Sequence, residues 1–156
     1  MANRKSLAAP MRWSCGALAV LVLCGWSAGC TSNPPKAAKR PEPEVKERLE
    51  KLYRLYRTYC ERNHTAPTGE QALKDFYQKQ SPEETKALNL GDDIDELFVS
   101  PRDGQKFEVA WGVVPEPTQN RAIIWEKTGK DGMHYVALSR AEVVPWSEDE
   151  LNRHKQ

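Results

Sequence analysis

Three histidines, four cysteines and one dense acidic run are the residues of this 156-residue chain whose types could do chemistry. Nucleophilic catalysis needs a serine, threonine or cysteine converging with a histidine and an orienting group. His64, His134 and His154 fall on three different predicted elements, and none lies in a catalytic motif. His134, beside the Asp131-Gly132 turn, reads as a surface or edge histidine. The chain contains no HExxH, no paired Cys/His metal spacing, no phosphate-cradling glycine loop and no GxSxG. Asp92, Asp93, Asp95 and Glu96 place four carboxylates in five positions. A calcium loop needs acids at alternate positions, a central glycine and a distal Glu. Ile94 and Leu97 break that pattern, so the run is expected to cap a short turn leading into Leu97-Phe98-Val99. Asp103 and Asp131 sit in turn sequences that account for them. The expectation is a protein without catalytic residues, metal or cofactor.

The cysteines are more informative. Residues 1–13 carry Arg4, Lys5 and Arg12 and no acid; an apolar run from Cys15 to Trp26 follows, then Ser27, Ala28, Gly29 and Cys30. A basic start, an apolar core of about a dozen residues and a small-residue end form a secretory signal peptide, too short to span a bilayer comfortably. Ser27-Ala28-Gly29-Cys30 resembles the lipobox of bacterial lipoproteins, with Ser27 standing where that family prefers an aliphatic residue. The resemblance implies cleavage before Cys30, acylation of its sulfur and usually of its new amino group, and hence a membrane partner held through lipid. Two or three chains anchor firmly where one binds reversibly, since each buried methylene is worth roughly 0.8 kcal/mol. The implied location is the bacterial cell envelope, with the domain facing the periplasm or exterior and the membrane unassigned.

Removal of residues 1–29 takes away three basic residues and no acid, leaving twenty Lys and Arg against twenty-two Asp and Glu. A formal charge of −2 without a basic face argues against nucleic acid as a partner. With Cys15 and Cys24 lost and Cys30 lipidated, Cys60 is the remaining thiol and no internal disulfide can form. It reads as a small buried apolar side chain.

Three segments follow: residues 1–29 as signal peptide, 30–44 as lipidated cysteine and tether, and 45–156 as one α+β domain. Thr31 to Glu44 has four prolines and no large apolar residue, so it packs no core. Val45 to Arg62 is a long helix whose stripe is Val45, Leu49, Leu52, Tyr53, Tyr56, Tyr59 and Cys60. Asn63-His64 ends it. A shorter helix is expected over Glu70 to Lys79, and a third after Ser81-Pro82-Glu83-Glu84, capped by Ser81 and Glu84 and ended by Gly91. Ser100 to Gly104 is a turn. A four-stranded antiparallel meander then runs through Phe107 to Val113, Arg121 to Lys127, Met133 to Leu138, and Glu142 to Val144, the last stopped by Pro145. Gly129 to Gly132 is a hairpin turn, and Ser147 with Glu150 caps a terminal helix with Arg153 and His154 at its end.

From about Leu49 to Trp146 the chain resembles a group of small bacterial lipoproteins. They pair a tyrosine-bearing helix, here Leu52-Tyr53-Arg54-Leu55-Tyr56, with an SPRDGxxF turn (Ser100 to Phe107) and a DGxxYV hairpin (Asp131 to Val136). These motifs imply a fold and no activity. More distantly, a long helix before an antiparallel meander is similar to the globular part of pilins and pseudopilins. Those keep an uncut hydrophobic helix, where this chain has a lipobox and a proline tether. The functional expectation is a non-catalytic binding or structural role, through a protein partner in the envelope. The exposed part of the tyrosine helix or the Pro115–Asn120 loop would be its contact surface. The alternatives are an accessory of a secretion or pilus-like assembly, and a small-ligand binder with a pocket between helix and sheet lined by Trp111, Trp125 and tyrosines.

Overall fold

The computed structural model describes residues 41–91 and 93–155. Cys30, the signal segment and residues 30–40 of the tether lie outside the described residues. The long helix, α1 (Pro41–Asn63), begins four residues before the expected start. The first turn of a helix has no use for its own N–H groups, so prolines are tolerated there, and Glu42 and Glu44 complement its positive end. Val45, Leu49, Leu52, Tyr53, Tyr56 and Cys60 are buried as the spacing predicts, and Leu55 is buried with them. The apolar arc is wider than one stripe because α1 is covered on two sides. The sheet lies against one side, and α2 (Glu70–Gln78), α3 (Pro82–Leu88) and α4 (Ile94–Leu97) lie against the other. Tyr59 stays partly buried, edge-on to Phe76 at 5.3 Å.

The caps read from the sequence form as expected. Ser81 accepts from the Glu84 amide while the Glu84 carboxylate accepts from the Ser81 amide, and Pro82 opens α3. Asn89, in the left-handed region at φ 52°, ends that helix two residues before Gly91. Asn tolerates this backbone almost as glycine does. Asp93 accepts from the amides of Asp95 and Glu96 and caps α4.

The sheet has the order β1-β2-β3-β4, antiparallel throughout, with β1 Glu108–Val109, β2 Ala122–Trp125, β3 Met133–Leu138 and β4 Val143–Ser147. The first strand is far shorter than the alternation from Phe107 to Val113 predicts. After Val109 the chain tightens, the Trp111 amide bonding back to the Val109 carbonyl, and Gly112 turns at φ 78°. A register shift between Ala122 and Ile124 lets Ile123 and Ile124 both join the cluster on the α1 side. Ala122 and Trp125 join Val136, Leu138, Trp146 and Leu151 on the opposite face. That second face is covered by α5 (Glu148–His154), which inserts Leu151.

Pro145 does not stop β4 but sits inside it, opposite Tyr135. The Tyr135 carbonyl accepts from Glu126, and its amide bonds the Glu126 side chain, so both backbone groups point toward β2. Pro145 therefore occupies an outward position on an edge strand, where no ladder bond needs its N–H. The β2–β3 hairpin closes with paired Lys130–Met133 bonds of 2.9 and 3.0 Å around Asp131 and Gly132, both with positive φ, the twist that suits a tight hairpin.

Candidate functional site

The two ends of β2 carry the groups that the fold has placed most specifically. At its start lies the loop from Trp111 to Asn120. Buried Tyr56 reaches it from α1, its hydroxyl 2.7 Å from the Val113 carbonyl and 2.9 Å from that of Ala110. Burial pushes the Tyr56 phenol well above its ordinary pKa, so it serves as a neutral donor. The Gly112 amide donates to Pro67, and the Gln119 amide to Glu116 across a turn with Pro117 at its second position. Buried Ser139, on the β3–β4 connection, donates its hydroxyl to the Gln119 carbonyl. So held, the loop presents Val114, 53% exposed and the exposed large hydrophobic among the described residues, beside Pro115, Glu116 and Pro117.

At the other end of β2 is a buried charged node. Glu126 is fully buried. Its Oε1 accepts from the Ser100 hydroxyl at 2.8 Å, its Oε2 from the Tyr135 amide at 2.8 Å. Arg102 Nε stands 3.3 Å from Oε1 as an ion pair, without an aligned hydrogen bond. Its Nη2 donates to the Met133 carbonyl at 2.9 Å, and its guanidinium lies 4.9 Å from the Tyr135 ring centre. Asp103 accepts from Gln105 and from Gly129. The Ser100–Gly104 turn is thus docked by Ser100 onto Glu126 and by Arg102 and Asp103 onto the Gly129–Met133 hairpin turn. A continued ladder would send the Tyr135 amide to the Glu126 carbonyl. The Glu126 carboxylate takes that bond instead, and its carbonyl meets His134, which is why β2 ends at Trp125.

His134 is buried on an inner strand, neither at the surface nor at an edge as the sequence suggests. Its Nδ1 is 2.9 Å from the Glu126 carbonyl and its Nε2 is 2.8 Å from Glu148 Oε2. Ser100 is 1% exposed and gives its hydroxyl to a carboxylate rather than to a histidine, so these groups do not form a nucleophile and base. His154 packs on Trp146 at 5.0 Å and His64 is exposed beyond α1.

The remaining predicted site residues have other neighbours. Trp111 stacks near Tyr56 at 6.2 Å on the α1 side, whereas Trp125 belongs to the α5 side and bonds Glu108. They line no common pocket. A register argument that overlooks the shift in β2 puts Trp125 on the wrong face. The exposed part of the tyrosine helix is occupied by internal pairs, Arg54 with the Leu88 carbonyl and Arg57 with Glu61. Tyr53 is buried, its hydroxyl 2.5 Å from the Ser139 carbonyl. Cys60 is buried and desolvation pushes its thiol pKa up, as suits a core side chain. In the acidic run, Asp95 pairs with Lys74 at 2.5 Å and Glu96 lies 4.0 Å from Arg48. Among the described residues no three His, Cys, Asp or Glu side chains converge as metal ligands.

Sequence reasoning missed Glu126, Arg102 and Ser139. Glu126 was legible only as a strand residue, and the one available signal was a carboxylate directly following four apolar residues, Ala122 to Trp125. No protein-family model matches this chain, and no curated protein or solved structure matches it.

Proposed function

We propose that this chain is a lipid-anchored envelope protein with a non-catalytic role, whose folded domain binds a protein partner through the Trp111–Asn120 loop. Cys30 is the anchor in this reading, following from the lipobox-like Ser27-Ala28-Gly29-Cys30. The observation that carries the binding role is exposed Val114 on a loop immobilised by Tyr56, Ser139 and Pro117. A surface segment already held in one conformation loses less entropy on binding than a mobile one, and its apolar contact then contributes more affinity. Residues 31–40, ahead of α1, would give the domain reach from the bilayer, on the order of 30 Å at about 3.1 Å per residue if extended.

In-cell crosslinking tests this, with a photoreactive residue at position 114 and membrane pull-down followed by mass spectrometry. The expected result is one defined partner, captured from position 114, absent from a control probe at Glu83 on α3, and lost with Cys30→Ala. A membrane-bound protein that captures nothing from position 114 rejects the loop. Unchanged membrane association of Cys30→Ala rejects the anchor.

A further inference from the structure

We propose that the cavity beside the buried charged node binds a small zwitterion, an amino acid or short peptide with free amino and carboxyl ends. It lies at the end of β2 away from the Trp111–Asn120 loop, and the proposal is independent of the role given to that loop. The cavity measures about 450 Å³, within the range of small-molecule sites. The start of α1, the Ser100–Gly104 turn, the β2–β3 hairpin and strands β3 and β4 all contribute to its lining.

Two of the lining side chains are more than nine-tenths buried, Tyr135 with 8% exposed and the Arg102 side chain with 5%. Polar groups so enclosed ordinarily find partners, yet each of these keeps one in reserve. Arg102 is held by Nη2, which donates to the Lys130 and Met133 carbonyls, and by Nε against Glu126. Its Nη1 and the Tyr135 hydroxyl have no partner among the described residues, and neither atom is sealed from solvent. A guanidinium fixed by its other nitrogens is a preorganised donor to a carboxylate. With the guanidinium 4.9 Å from the Tyr135 ring centre, one carboxylate can accept from both groups. Lys46 adds a second cation 5.2 Å from the same ring.

The rest of the lining calls for a cation on the same ligand. Glu42, Lys130 and Asp131 are exposed there, and none of their side chains makes an ion pair or hydrogen bond among the described residues. Elsewhere on the surface facing charges close on each other, as Lys74 does on Glu70 and Asp95 and Arg140 does on Glu142. Here acids and a base share one cavity unpaired, so an ammonium has carboxylates to meet. Glu126 already balances Arg102, and Lys46 and Lys130 balance Glu42 and Asp131. An anion alone would leave excess negative charge beside buried Glu126, whereas a zwitterion adds none. Met133 and Pro145 complete the lining with apolar surface, suited to an aliphatic side chain.

Titration of the isotope-labelled full-length protein with the dipeptide alanyl-leucine at neutral pH tests the site, read from amide chemical shifts. The Asp131, Met133 and Tyr135 amides should move together and saturate, while Val114 stays still. N-acetyl-alanyl-leucine and alanyl-leucinamide, each lacking one charge, should bind about tenfold more weakly, the size of one lost bond to a charged group. Tyr135→Phe, which removes a hydroxyl that holds nothing in the fold, should weaken the dipeptide by a similar factor. The joint variant Glu42→Gln with Asp131→Asn should weaken the dipeptide and leave the N-acetyl form unaffected. Glu83→Gln, on α3, should change neither. Free leucine separates the two sources: affinity equal to the dipeptide's supports an amino acid, and weaker binding supports a short peptide. No saturable movement up to about 10 mM dipeptide overturns the site. So does equal binding of the blocked forms, or binding that both Tyr135→Phe and the joint variant leave unchanged.

Discussion

The two ends of β2 solve opposite problems with similar materials. At the node, a carboxylate, a guanidinium and a hydroxyl are enclosed to fix one turn against another, and the pairing is internal. At the loop, the buried hydroxyls of Tyr56 and Ser139 reach outward to backbone carbonyls, and the segment that they hold stays exposed. Charge is kept where water is excluded, and neutral donors are used where the backbone must be held at the surface. The difference teaches that buried polarity here marks scaffolding, whereas the exposed apolar residue is where the proposed contact is placed. A buried ion pair contributes little net stability over an apolar substitute, yet breaking it is costly.

That contrast predicts unequal responses. Arg102→Ala should cost about 3–5 kcal/mol in denaturant unfolding, because it leaves Glu126 buried and uncompensated. The joint replacement Arg102→Met with Glu126→Gln should recover part of it, because the amide is uncharged and can still pair with Ser100 and the Tyr135 amide. A loss under 1 kcal/mol for Arg102→Ala would mean the node is solvated. Gly129→Ala should exceed the penalty of about 1–2 kcal/mol for a left-handed backbone, since its Cβ meets the Met133 carbonyl at 2.5 Å. Gly104→Ala, at φ 68° with open space, should show that backbone penalty alone.

At the other end, Tyr56→Phe should cost about 1 kcal/mol and raise hydrogen exchange at Gly112 while exchange at Tyr135 stays constant. Equal change at both amides would show that the ends are coupled. The smallest effect on stability belongs to Val114→Ser, within about 0.5 kcal/mol, accompanied by loss of the proposed partner from a membrane pull-down. A pH scan adds a further check remote from both ends. Burial pushes the Glu70 carboxyl up, but hydrogen bonds from Lys74 and Lys106 outweigh it and hold its pKa below the usual value. Its contribution is therefore present above the ordinary carboxylate range and fades as pH falls through the lowered value. Lys106→Gln should diminish that acid sensitivity by less than about 0.5 kcal/mol, as befits a partly exposed pair.

Much of the scaffold was legible locally. The capping boxes at Ser81–Glu84 and Ser147–Glu150 and the Asp131-Gly132 turn depend on neighbours within a few residues, and all three form as read. The limits of Met133–Leu138 were also legible from apolar residues between turn signals. Phe107 to Val113 was not, because its alternation was interrupted by the Tyr56 hydroxyl from α1 and the Pro67 carbonyl, more than forty positions away. Of the two proposed contact surfaces, the Pro115–Asn120 loop is exposed, while the tyrosine helix has its aromatic side chains turned inward.

The sequence by itself determined the α+β character, the strands, the helices other than α4, the turns and caps, and the segment around Cys30 from which the anchor is inferred. Each depends on backbone preferences or on periodic burial, which short windows express. Tertiary structure alone decided that Glu126 and His134 are buried, that Trp111 and Trp125 lie on opposite sheet faces, and that β1 stops at Val109. These outcomes follow from partners far apart in the chain. A polar side chain's burial is settled by whether distant donors and acceptors satisfy it, and no local pattern carries that information.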